Sequence, residues 1–186
     1  MERHIGPIGI HSGASANPQR AAQRLAEAET CRRTGKLDRA QLLCEALLQT
    51  YPDYVGALQT LGVTHLSKRN YRQALSCFIQ AAMLCPKDCI NLTNLATAYL
   101  QLGAWELAAQ TLEQARQINP EDVSVDFTLA AVYREEREYE LAAAAYRKVL
   151  DRLPTHGEAA LGLGDCCSHL GRSAEAAIAL KQAHAW

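Results

Sequence analysis

Four prolines set at one fixed interval constrain the fold of this chain more than any other feature. Pro52, Pro86, Pro120 and Pro154 follow one another at intervals of 34 residues, without an insertion. Because proline lacks a backbone N–H and disfavours the α conformation in the residue before it, each proline is expected to end a helix at the same point of a repeating unit. The interval predicts an array of repeats, in which each unit buries its apolar face only by stacking on its neighbours.

The stretch 89–122 shows most clearly what one unit contains. Apolar residues recur at helical spacing between residues 92 and 99, Gly103 interrupts the pattern, and a second amphipathic stretch starts at Trp105. One unit is therefore predicted to be a helical hairpin. In every copy an alanine stands at the same position of the second helix, where we expect two helices to cross closely. These alanines are Ala40, Ala74, Ala108, Ala142 and Ala176.

The repeated pattern resembles that of tetratricopeptide repeat (TPR) proteins. In that family a first helix with an apolar-Leu-Gly-Tyr pattern precedes a second helix with an Ala-Phe-Ala-Pro pattern, and the best copy here is Leu58-Leu61-Gly62 followed by Ala74-Phe78-Ala81-Pro86. The resemblance implies an all-α fold, a right-handed α-solenoid of about five helix-turn-helix repeats. We expect a flexible N-terminal leader over 1–20 and a repeat domain over 21–186. The expected repeats lie near 21–54, 55–88, 89–122, 123–156 and 157–186.

The charge of the chain limits the classes of partner. A net charge of −1 argues against a general nucleic-acid binder, which would carry a basic surplus. The charge is uneven, since residues 1–72 hold 10 Lys/Arg against 6 Asp/Glu (+4) and residues 73–186 hold 9 against 14 (−5). Solvated helix faces are the simpler explanation of this asymmetry. Because no apolar run is long enough for a signal peptide or a membrane span, we predict no membrane insertion and a cytoplasmic location.

Seven cysteines raise the question of metal binding. Cys85 and Cys89 have a C-x-x-x-C spacing, but no second pair of ligands accompanies them, so a zinc site is not predicted. Cys31 and Cys44 are predicted to face each other within the first repeat. Without a signal peptide the compartment is expected to be reducing, and we predict free thiols that act as small apolar side chains.

Catalytic motifs are absent from the sequence. There is no phosphate-binding glycine loop, no H-E-x-x-H and no G-x-S-x-G. Asp165 and His169 stand four residues apart near a cysteine, but a pair on a helix surface explains them equally well. We therefore predict a non-enzymatic protein without catalytic residues, metal or cofactor.

The resemblance to TPR proteins also implies where a partner binds. In that family the first helices line a concave groove, and those of their residues that face the groove contact a protein or peptide segment. A carboxamide both donates and accepts hydrogen bonds, so Gln59 and Asn94 suit an extended segment whose backbone must stay paired. The alternative is that these are merely solvated helix positions. The residues expected in the partner-binding groove are Gln59, Thr60, Val63, Thr93, Asn94, Thr97, Gln101, Phe127, Thr128 and Arg134.

Three functional classes fit such a chain. We favour a protein-protein interaction module that acts as an adaptor or scaffold. The alternatives are the N-terminal repeat arm of a larger bacterial sulfotransferase or glycosyltransferase, and a secretion-type chaperone for an unfolded partner. The carboxylate clamp known in the family is not predicted, because the corresponding positions lack its cations.

The last predicted helix suggests a second kind of contact. Repeat arrays usually end in a polar capping helix, because the final repeat otherwise exposes the apolar face that a further repeat would cover. Here the stretch from Ser173 onward is itself the second helix of the fifth repeat. We predict a homo-oligomer that forms through this end, with contacts from Ala177, Leu180, Ala183 and Trp186.

Overall fold

The computed structural model describes residues 17–184, and every regular element in that range is an α-helix. Residues 1–16 and 185–186, and with them Trp186 and most of the predicted leader, lie outside the described residues. The all-α solenoid predicted from the sequence is confirmed. Its helices are α1 (Pro18–Arg33), α2 (Leu37–Thr50), α3 (Val55–Ser67), α4 (Tyr71–Leu84), α5 (Cys89–Gln101), α6 (Trp105–Ile118), α7 (Val123–Glu135), α8 (Tyr139–Arg152), α9 (Gly157–His169) and α10 (Ser173–His184).

The first helix begins where an Asn-Pro pair predicts a helix start. The Asn17 side chain accepts hydrogen bonds from the backbone N–H groups of Gln19 (3.0 Å) and Arg20 (3.3 Å). Pro18 occupies the first turn, where its missing donor costs nothing. Residues 18–20 therefore belong to α1, and the predicted boundary between leader and repeat domain moves toward the N-terminus.

The first helix of each pair ends at one residue with a left-handed backbone. Three of these positions are glycines, with Gly103 (φ 74°) as the example in the third repeat. The other two are Arg69 (φ 60°) and Arg137 (φ 63°), for which the conformation costs roughly 1 to 2 kcal/mol because the Cβ atom crowds the following carbonyl. The turn places the second helix of the pair against the first.

Close helix crossings depend on alanine and glycine. Ala40, Ala74, Ala108 and Ala142 are all 0% exposed, which confirms the packing role predicted for this column. Gly62 lies against the Phe78 ring so closely that a Cβ at Gly62 would stand 2.4 Å from Phe78 Cε1. Small residues thus let large ones fill the space between paired helices.

The contacts between helices give the array its curvature. Each helix packs against the next along the chain, and each odd-numbered helix also contacts the next odd-numbered helix. Between residues 17 and 184, no even-numbered helix contacts the next even-numbered one. The odd-numbered helices therefore converge on the inner side of a curve and the even-numbered helices spread along its outer side.

Candidate peptide-binding surface

The odd-numbered helices present a surface toward the inside of the curve. Along α3, α5 and α7 it consists of half-buried and exposed side chains in which apolar and polar groups alternate. We call this surface, from the second to the fourth repeat, the inner surface. Its members include Val63, Leu66, Asn94, Thr97, Gln101, Phe127, Ala131 and Arg134.

Asn94 is the polar centre of the inner surface. It lies on α5 in the middle repeat and is half-buried. Its carboxamide makes no hydrogen bond to any residue of the described part of the chain, whereas neighbouring Thr97 already donates to the Thr93 carbonyl at 2.8 Å. Asn94 can therefore both donate to and accept from a peptide backbone without breaking an internal bond.

A cleft of about 490 Å³ opens beside this position. It lies between the end of α3, the following turn and the end of α5. Thr97 and the exposed Gln101, both predicted groove residues, form its α5 side. The full lining consists of Leu66, Ser67, Arg69, Tyr71, Thr97 and Gln101.

Three threonines predicted to line the groove are buried instead. Thr60 is 6% exposed, and Thr93 and Thr128 are each 8% exposed. The hydroxyls of Thr93 and Thr128 donate at 2.8 Å to the carbonyls of Cys89 and Ser124, one turn earlier in their own helices. Because these side chains are buried, they contribute to packing. Their positions do not support the groove contacts that the sequence predicted for them.

Gln59 is half-buried and already bonded across a repeat boundary. Its Nε2 donates to Oδ1 of Asn91 at 2.7 Å and to Oδ2 of Asp88 at 3.4 Å. Asn91 in turn is 0% exposed, and its Nδ2 donates to the carbonyls of Ala81 (3.1 Å) and Cys85 (3.4 Å) at the end of α4. The Gln59 amide donor therefore joins the second repeat to the third, and the ligand-binding role predicted for Gln59 stays a prediction.

The sequence argument missed Asn91, although a signal for it exists. In the second, fourth and fifth repeats the same position holds Ala57, Val125 and Ala159, which are all buried and apolar, whereas the terminal first repeat has the exposed Gln23. A polar side chain at an otherwise apolar packing position must find partners inside the protein, since an unpaired buried amide is costly. The break in this column predicts an internal hydrogen-bond network.

The fourth-repeat side of the inner surface is aromatic and charged. Phe127 is half-buried, with its ring 6.0 Å from that of Tyr146 and 4.7 Å from that of His156. Arg134 Nη2 lies 3.1 Å from Oε1 of Glu135, an ion pair whose side chains are 36% and 46% exposed. Phe127 contributes apolar surface to this side, and the charge of Arg134 is paired with that of Glu135.

The cysteines behave as packing residues. Cys44 is buried in a cluster with Ala28, Leu61 and Cys77, so its apolar contacts reach into the second repeat. Burial raises the pKa of the Cys44 thiol to about 12 and that of Cys77 to about 11. Both thiols stay protonated and unreactive at neutral pH. Across residues 17–184, no group of three or more His, Cys, Asp or Glu side chains is arranged to hold a metal ion.

The last helix carries three of the residues predicted for self-association. Leu180 packs against Gly164 of the fifth repeat, where a Cβ would stand 2.8 Å from Leu180 Cγ. Ala183 is half-buried, and its carbonyl would stand 3.8 Å from a Cβ at Gly157. The apolar side chains that α10 exposes include Ala177, the 60% exposed Ile178 and the 37% exposed Leu180. Self-association through Ala177, Leu180, Ala183 and Trp186 stays a prediction, and Trp186 lies outside the described residues.

A family assignment follows from comparison with known proteins. The Tetratricopeptide repeat family model matches residues 60–123 and 127–186, which is more than half of the chain. The chain belongs to the tetratricopeptide repeat family. The family predicted from the Leu-Gly and Ala-Phe-Ala-Pro pattern is therefore confirmed, and TPR domains as a class mediate protein-protein interactions.

The chain aligns with a small part of much longer relatives. Superkiller complex protein 3 of Mus musculus is 30% identical over 113 residues, which is 61% of this chain and 7% of that protein. Peroxisome biogenesis protein 5 of Arabidopsis thaliana is 26% identical over 171 residues, which is 75% of this chain and 24% of that protein. The chain thus spans only a minor share of these relatives.

Solved structures support the fold. A thermophilic TPR protein of Thermus thermophilus superposes with a TM-score of 0.77 at 25% identity, covering 87% of this chain and 91% of that one. A crystal structure of MamA superposes with a TM-score of 0.68 at 22% identity, covering 84% and 91% of the two chains. None of the helices in the described region is both long and apolar enough to cross a bilayer.

Proposed function

We propose that this TPR chain is a non-enzymatic adaptor or scaffold that binds an extended protein segment on its inner surface. The observation that carries the proposal is the Asn94 carboxamide, which lies half-buried at the centre of that surface with no hydrogen bond to residues 17–184. A segment that crosses α5 buries backbone N–H and C=O groups, and Asn94 satisfies one of each.

Apolar contacts on both sides of Asn94 support the same segment. Val63 and Leu66 lie on α3, and Phe127 and Ala131 lie on α7, all of them half-buried. Their exposed parts suit small and medium apolar side chains that alternate along an extended chain. Since charged side chains are few between these positions, backbone pairing and apolar contact supply most of the affinity.

The test uses peptides selected by the protein itself. A display library of random peptides is screened against the immobilised chain, and the dissociation constants of selected peptides are measured by isothermal titration calorimetry. Asn94→Ala should weaken binding by about 1 to 3 kcal/mol, because the peptide groups that it satisfied stay buried and unpaired. The melting temperature should change little, since the Asn94 side chain makes no hydrogen bond to another residue of the described region.

Gln110 on α6 provides the matched control. It is exposed on an outer helix, and its side chain makes no hydrogen bond to another described residue. Gln110→Ala therefore removes a carboxamide outside the inner surface. Peptide affinity should be the same for Gln110→Ala and the wild type. Equal affinity for Asn94→Ala and the wild type would contradict the proposed site.

A further inference from the structure

The turn that follows α3 carries cations without partners. Arg69 in this turn and Arg72 in the first turn of α4 are exposed, and neither side chain forms an ion pair or hydrogen bond with any residue between 17 and 184. Lys68 beside them donates to Asp38 Oδ1 at 2.8 Å and to Gln41 Oε1 at 2.7 Å, which joins this turn to the start of α2. The carboxylate of Asp38 is therefore already occupied by Lys68.

Arg69 also stands where the chain elsewhere uses glycine. The corresponding residues are Gly35, Gly103 and Gly171, all with positive φ, and only Arg137 shares the exception in the described array. Arginine at this position carries an energetic cost that glycine avoids. The chain carries arginine at this position although the local backbone conformation favours glycine.

The cleft beside the turn is suited to an anion. Arg69 lines it together with Tyr71 and Gln101, whose hydroxyl and carboxamide make no hydrogen bond within residues 17–184. No carboxylate side chain is among the residues that line the cleft. A guanidinium pairs with a carboxylate through two parallel N–H···O bonds, and the hydroxyl and amide add donors at the same place.

We propose that this cleft binds a carboxylate side chain of an acidic protein segment where that segment leaves the inner surface. Thr97 and Gln101 belong to both surfaces, so the cleft continues the inner surface without a break. The inference rests on the proposed function and names the chemistry of its partner. The wider surroundings also favour an acidic partner segment, since residues 17–72 hold 9 Lys/Arg against 5 Asp/Glu.

The structure provides a matched pair of variants for the test. Arg137 has the same backbone conformation (φ 63°) as Arg69, is equally exposed, and lies in the fourth repeat among Glu135, Glu136 and Glu138. Arg69→Gln and Arg137→Gln remove one charge each. Arg69→Gly and Arg137→Gly also relieve the backbone, so both should raise the melting temperature by similar amounts and show that neither variant is misfolded.

Binding is measured by fluorescence anisotropy with a labelled oligoglutamate peptide at low ionic strength. Both Arg69 variants should weaken binding about 5- to 10-fold, the loss expected for one charge-assisted contact, while both Arg137 variants bind like the wild type. The proposal would be overturned if oligoglutamate did not bind, or if the Arg137 variants lost as much affinity as the Arg69 variants. It would also be overturned if oligothymidylate, a single-stranded nucleic acid that serves as a second polyanion, bound more tightly than oligoglutamate. The Asn94→Ala comparison with library peptides does not depend on these results, so the two proposals fail separately.

Discussion

The packing of Gly62 against Phe78 allows a sharp test of the structure. Adding one methyl group as Gly62→Ala would place a Cβ 2.4 Å from Cε1, 2.7 Å from Cζ and 2.8 Å from Cδ1 of the Phe78 ring. Optimal carbon contacts lie at about 3.5 to 4.0 Å, so the overlap is about 1 Å. Phe78 is 0% exposed, and its ring has no solvent-filled space into which to move.

Two effects of opposite sign determine the size of the change. Alanine stabilises a helix interior by about 1 kcal/mol relative to glycine. Overpacking a buried contact costs about 1 to 3 kcal/mol, and an overlap of this size against a fixed ring belongs at the upper end. The free energy of unfolding should therefore fall by about 1 to 2 kcal/mol, which lowers the urea midpoint by about 0.5 to 1 M.

The third repeat shows how the clash can be relieved. There Ala96 and Leu112, both 0% exposed, occupy the positions of Gly62 and Phe78. The double variant Gly62→Ala/Phe78→Leu copies that pair, and it should be more stable than the sum of the two single changes predicts, by about 1 kcal/mol or more. Urea denaturation followed by circular dichroism measures all four proteins.

Gly157→Ala is the control for the methyl group itself. Among the described atoms, a Cβ at Gly157 would meet only the Ala183 carbonyl oxygen, at an ordinary 3.8 Å. The control should be neutral or slightly stabilised. If Gly62→Ala is also stabilised, helix propensity alone is acting and the Phe78 ring does not lie against Gly62.

Two further predictions concern pH and thiol chemistry. Burial lowers the pKa of His65 below its ordinary value of 6.5, and its Nδ1 has no hydrogen-bond partner among the described residues. The unfolded chain therefore binds a proton more readily, so the melting temperature should fall as the pH drops below about 6.5. His65→Leu should have a flatter pH profile, and an unchanged profile would contradict this role for His65. Alkylation at neutral pH should modify the exposed Cys85 first, because burial holds Cys44 and Cys77 as thiols. Mass spectrometry should show that Cys85→Ser removes the rapid phase; rapid modification of Cys44 would refute the packing described for it.

Much of the fold could be predicted from the sequence because its determinants are local and repeated. Each proline of the 34-residue series ends a pair of helices, and each alanine of the column permits a close crossing, so every repeat confirms the register of the next. The Asn17 cap was equally predictable, because capping depends on residues adjacent in the chain. Repetition turns weak local preferences into a definite architecture.

The candidate site was harder to predict because it depends on the depth of each side chain. Helical spacing places Thr93 and Asn94 side by side on α5, yet Thr93 is 8% exposed and Asn94 is half-buried. The link from Gln59 to Asn91 spans 32 residues and depends on how two repeats stack. Leu180 packs against Gly164 and still leaves 37% of its surface exposed. Such distances between repeats are not encoded in the period itself.

Mapping of a bound peptide on the folded chain tests the central claim most directly. The measurement follows backbone amide chemical shifts of the isotope-labelled protein by NMR as a library-selected peptide is titrated. The account predicts shift changes along the inner surface of α3, α5 and α7, largest around Asn94, with little change on α4 and α6. Changes concentrated on the outer helices, around exposed apolar residues such as Met83 or Leu107, would contradict it.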